Sequence, residues 1–164
     1  MTATAKPTTP DFDIEASLSR FLTEQAEHNR RADDLRPANK AALFGALTKV
    51  GITFVTVTFD GYGDSGQVED ITAQRGDDMV PLPSDKVTIC ICAPAWGDPG
   101  FAARTMTVEQ AIEQLAYDFL SESHGGWENN DGAYGEFIFD VAKQTITLDY
   151  TERYTATEFY SHDF

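Results

Sequence analysis

Ile52-Thr-Phe-Val-Thr-Val-Thr-Phe59 is where the chain changes its hydrophobic period. Up to Lys49 the apolar residues recur at helical spacing; here Thr53, Val55, Val57 and Phe59 alternate with Ile52, Phe54, Thr56 and Thr58. Such an alternating, β-branched and aromatic run reads as a strand. It is followed by Asp60-Gly-Tyr-Gly-Asp-Ser-Gly66, a Gly-rich turn, and by residues 67–73, too few for an independent helix before Gly76, Pro81 and Pro83 and therefore a return strand. Further on, Val87-Thr-Ile-Cys-Ile-Cys92 reads as a central strand with Cys90 and Cys92 as reduced, core-packed side chains. Residues 136–141 and 145–154 form a hairpin around Ala142-Lys143-Gln144. Its alternation assigns Phe137, Phe139, Val141, Ile146, Leu148 and Tyr150 to the core and leaves Glu136, Asp140 and Asp149 on the other face.

Helical patterns flank these strands. Residues 1–10, rich in Thr, Ala and Pro, have the composition of a disordered leader. Asp13 can cap a helix with the stripe Ile14, Leu18, Phe21 and Leu22, and Pro37 suits the first turn of a second helix carrying Ala41, Phe44, Leu47 and Val50, stopped at Gly51. Residues 93–105 read as a loop. Thr107-Val-Glu-Gln110 then has capping-box spacing, with Val108, Ile112, Leu115, Phe119 and Leu120 on one face and His124-Gly125-Gly126 as the stop. The expectation is one α+β domain over residues 11–164: a mainly antiparallel sheet of about five strands with two or three helices packed on one face.

Charge bounds the function. Seven acidic and seven basic residues cancel through Lys49, so the whole net charge of −15 falls on residues 50–164, which hold twenty acidic and five basic side chains. Such a field repels nucleic acid directly and attracts basic protein surfaces or metal cations. No apolar run is long enough to span a membrane and the start lacks a secretory h-region, which points to the cytoplasm.

The short motifs are weak. Gly61-Tyr-Gly-Asp-Ser-Gly66 matches G-x-G-x-x-G, but no helix follows and Asp64 would face the phosphates. Gly63-Asp-Ser-Gly66 matches the nucleophile signature of chymotrypsin-like proteases, which needs a larger two-barrel domain than this chain provides. His124 reads as a helix-end residue, and Arg30 and Arg31 as part of a mixed-charge surface. Oxygen-rich turns are the better candidates for chemistry. Asp60 and Asp64 crowd one turn, Glu128 and Asp131 another, and together they could hold Ca²⁺ or Mg²⁺, although Tyr62 and Ser65 break the EF-hand pattern. No other cofactor is indicated.

With His124-Gly-Gly-Trp-Glu-Asn-Asn-Asp-Gly-Ala-Tyr-Gly-Glu136, the Gly-rich turn and the aromatic C-terminal stretch, the chain resembles an uncharacterised family of small bacterial proteins associated with plasmids and phages, over roughly residues 40–160. The resemblance implies a mobile-element context and supplies no catalytic residues. In that context an acidic domain is similar in character to DNA mimics such as anti-restriction and anti-CRISPR proteins, by analogy alone. The leading expectation is therefore a non-enzymatic interaction protein that binds a basic nucleic-acid-binding protein or complex. Glu109, Glu113, Asp118 and Glu122 on the helix, Asp140 and Asp149 on the hairpin, and Trp127 and Tyr134 as aromatic anchors are the expected contacts. The alternative is a metal-binding protein or small enzyme using the two Gly- and Asp-rich turns.

Overall fold

The structure, a computed structural model, describes residues 13–92 and 100–164. The expected leader and part of the expected loop at 93–105 lie outside them. The chain divides into two compact units, Met1–Pro37 and Ala38–Phe164.

The described part of the first unit is helical. α1 runs from Ile14 to Lys49, continuing into the second unit, and Asp13 caps it by accepting the backbone N–H of Ala16 at 3.0 Å. Two helices separated before Pro37 were expected; instead Pro37 lies inside one helix. Proline removes a single i to i−4 hydrogen bond there, and the residues on both sides, Arg36, Ala38, Lys40 and Ala41 among them, favour helix strongly enough to carry it through. The boundary between units falls at this residue.

The second unit is α+β. Its main sheet has five antiparallel strands in the order β3-β2-β1-β6-β7, where β1 is Phe54–Tyr62, β2 Ser65–Arg75, β3 Asp78–Val80, β6 Ala133–Asp140 and β7 Thr145–Glu152. A separate two-stranded sheet pairs β4 (Lys86–Cys92) with β5 (Phe101–Thr107). The Val87–Cys92 segment is thus a strand, as expected, but not a central one. Its partner β5 falls largely within the segment read as a loop, because the hydrophobic alternation of Phe-Ala-Ala-Arg-Thr-Met-Thr is too weak to register as a strand.

Alternation fixes the two faces of the main sheet. Val57 lies opposite Ile71 and Phe137, and Phe137 opposite Leu148; the next core row is Ala73, Val55, Phe139 and Ile146. Val55, Val57, Phe137 and Phe139 are fully buried. Both helical segments of this unit pack on that face, Phe44 of α1 against Phe139 (ring centroids 6.4 Å apart) and Phe119 of α2 (Val108–Ser123) against Phe137 (6.3 Å). The capping box is present at the start of α2: Gln110 N–H donates to Thr107 Oγ1, and Thr107 N–H to Gln110 Oε1. A bulge between Thr58 and Phe59 absorbs Glu69 and keeps Val68 facing inward, where its N–H donates to the Tyr117 hydroxyl at 2.9 Å.

Candidate functional site

The rows between the core rows point to the side opposite the helical segments of this unit. One reads Asp70, Thr58, Glu136, Asp149 across β2, β1, β6 and β7, and the next Thr72, Thr56, Ile138, Thr147. Neighbouring strands lie about 4.8 Å apart, so three carboxylates project from one line across four strands. Glu136 and Asp149 are direct cross-strand partners, an arrangement in which like charges repel. Asp60 flanks the line on β1, in register with Tyr134, and Asp140 lies nearer the other end of β6. Asp140 also accepts the Lys143 N–H at 3.1 Å, closing the hairpin turn.

At the Asp60 end the two Gly-rich turns converge. Gly63 and Asp64, with φ of 59° and 65°, are the central residues of the β1–β2 hairpin, the left-handed pair that a two-residue turn requires. The loop after α2 lies along this turn: Gly63 N–H donates to Asn130 O (3.3 Å) and Asp64 N–H to Glu128 O (3.0 Å). Trp127 fills the space between them, only 8% exposed and edge-on to Phe59 with centroids 5.5 Å apart. A Cβ on Gly61 or Gly66 would run into its ring. The Tyr150 ring carries His124 stacked 3.6 Å above it at 3°, and burial, with the nearby Glu152 and Glu128, holds its phenol above the ordinary value.

Arg153 ties this end to the open face. Its N–H donates to Gly132 O (2.9 Å), its Nη1 to Asp60 Oδ1 (2.8 Å) and Gly61 O (3.2 Å), and its guanidinium sits 4.6 Å from the Tyr134 ring centroid. Asp131 accepts the Thr155 hydroxyl at 2.7 Å.

The expected contacts are therefore distributed unevenly. Asp140, Asp149 and Tyr134 share the open face. Trp127 is a correction: it is buried packing beneath the turn glycines, not an exposed anchor, because the side-chain-free surface of Gly61 and Gly66 admits its ring. The four helix carboxylates also do not form one patch. At 100° per residue, Asp118 stands about 180° around α2 from Glu109, so Glu109 with Glu113 and Asp118 with Glu122 occupy opposite flanks. Asp118 is partly buried and accepts Gln114 Nε2 at 3.0 Å; burial raises its pKa above the ordinary value, the Gln114 bond opposes this, and Glu122 adds to it. Of the carboxylates considered for a cation, Asp60 is held by Arg153 and Asp131 by Thr155, and among the described residues no group of three or more His, Cys, Asp or Glu is placed to hold a metal. Asp70, Glu136 and Arg153 complete the face. The alternation of the β6–β7 hairpin already placed Glu136 on this face; Asp70 follows from strand parity only once the Glu69 bulge is allowed for, and Arg153 carries no local sequence signal.

Residues 35–164 match a family described as a family of unknown function, DUF6878. The chain belongs to this family. The match spans the whole main sheet, both converging turns and the carboxylate row, and leaves the helical stretch before Leu35 outside it. No curated protein and no solved structure matches the chain. Among the described residues no helix is long and apolar enough to cross a membrane.

Proposed function

We propose that this family member is an acidic interaction protein whose open sheet face binds a basic surface of a nucleic-acid-binding protein or complex and blocks it, acting as a mimic of phosphate charge. The observation that carries the reading is the Asp70–Thr58–Glu136–Asp149 row. A line of carboxylates with no basic residue within it costs stability through mutual repulsion, and a cationic partner relieves that cost. Tyr134, held by Arg153 at the end of the face, supplies an aromatic contact beside the charge. A setting among plasmids and phages, with a target in host defence or replication, is the context that suits such an inhibitor.

The test uses a basic DNA-binding protein recovered with the chain from its native host, and measures competition between the chain and duplex DNA for that protein. Asp70→Asn/Glu136→Gln/Asp149→Asn should abolish salt-sensitive competition, while Glu109→Gln/Glu113→Gln on α2 should leave it intact. Loss in the α2 variant with retention in the sheet variant would sink this assignment.

A further inference from the structure

The stretch of α1 before Pro37 carries Ile14, Leu18, Phe21 and Leu22 at 74%, 55%, 59% and 57% exposure. Helices gain most of their stability from burying an apolar stripe, and this one leaves its stripe largely in water. The stripe has coiled-coil spacing. Ile14, Leu18, Phe21, Gln25, His28, Ala32 and Leu35 follow one another at alternating steps of four and three residues, the a and d positions of about three heptads.

Charge decides what covers it. Residues 13–27 hold four acidic and one basic side chain, and residues 28–40 four basic and two acidic. A second copy laid antiparallel sets the acidic half of each helix against the basic half of the other. The same register is specified independently by packing: Leu18 meets Leu35 of the second copy, Phe21 meets the small Ala32, and Gln25 meets His28 in the central layers. The flanking positions then pair Glu24 with Arg31 and Glu15 with Arg36, twice each by symmetry. Arg36 is already oriented by Asp33 of its own helix at 2.9 Å. A parallel pair would instead set Arg31 against Arg36, two cations at one flank. Polar central layers cost stability and in return fix register and orientation.

We infer that the segment from Ile14 to Arg36 is an antiparallel dimerisation helix that joins two copies of the chain. All of it but Leu35 and Arg36 lies before the part of the chain that matches the family, and it makes no use of the carboxylate face, so the dimer and the proposed inhibitor role stand or fall separately.

Sedimentation equilibrium of the full chain at low salt tests it. The wild type should dimerise with rising concentration. Glu24→Arg and Arg31→Glu should each weaken the dimer roughly tenfold or more, since each turns two attractions into repulsions, and the double variant Glu24→Arg/Arg31→Glu should recover it. Phe21→Glu should give a monomer whose second unit melts unchanged. A chain that is monomeric at every concentration, an Arg31→Glu variant that strengthens association as a parallel pair requires, or a dimer indifferent to all four variants would overturn the inference.

Discussion

Asn39 is the buried polar side chain of the described core, and it closes an edge. Its Nδ2 donates to Cys90 O at 2.9 Å and its Oδ1 accepts Cys90 N–H at 2.8 Å, so one amide occupies the outward backbone pair of β4 much as a neighbouring strand would. Replacing it leaves two partly buried backbone groups unpaired. Asn39→Ala should therefore lower unfolding stability by about 2–4 kcal/mol in denaturant titrations, well beyond the loss of one exposed hydrogen bond. Asp118 is the opposite case, a residue that works against the fold. Because burial raises its folded pKa, the native state binds more protons than the unfolded chain between the ordinary value of 3.8 and the raised one. Stability thus falls as pH rises through that window, and the penalty persists at neutral pH. Asp118→Asn keeps an acceptor for Gln114 and should raise the melting temperature at pH 7, with the advantage shrinking as pH falls and vanishing below 3.8.

Between elements, the decisive contact is the one joining the β1–β2 turn to the α2–β6 loop. Trp127 fills it and Arg153 straps it, so Arg153→Met should keep the fold while freeing the loop, read as faster hydrogen exchange at the Gly63 and Asp64 amides and a lower melting temperature. The same geometry leaves Asp60 and Asp131 engaged with protein groups. Millimolar Ca²⁺ or Mg²⁺ should accordingly leave the melting temperature unchanged; an upward shift lost in Asp64→Asn would restore the cation reading. Elements with strong periodicity were legible from sequence: β1, the β6–β7 hairpin and its two faces, and α2 with its cap. What was not legible depended on partners distant in the chain. Pro37 looks like a helix start locally, Phe101–Thr107 becomes a strand only because β4 is beside it, and Trp127 looks like a surface aromatic until two glycines on another turn supply its niche. Strand parity counted from the β1–β2 turn would put Glu69 opposite Thr58 and turn Asp70 toward the core; the single-residue bulge at Glu69 brings Asp70 into the row instead.

At the scale of the whole molecule, twenty carboxylates against five cations beyond Lys49 make self-repulsion a standing cost of the folded second unit. Salt screens exposed charges over about 8 Å at physiological ionic strength, so the melting temperature should rise as NaCl is added from low ionic strength, in contrast to a fold held by surface ion pairs. The carboxylate row gives this cost an address. Each like-charged neighbour across strands is worth a few tenths to about 1 kcal/mol, and Glu136 faces Asp149 directly. Asp70→Asn/Glu136→Gln/Asp149→Asn should then stabilise the protein at low salt by about 1 kcal/mol and flatten its salt dependence, even as it destroys competition with DNA. Neutralising the same number of carboxylates on the flanks of α2, with Glu109→Gln/Glu113→Gln/Glu122→Gln, removes equal net charge without that geometry. If both triple variants gain the same stability, repulsion is a property of the total charge and the row is no special site. A larger gain in the sheet variant alone, paired with loss of binding, would mean that stability is given up at the face where a cationic partner restores it.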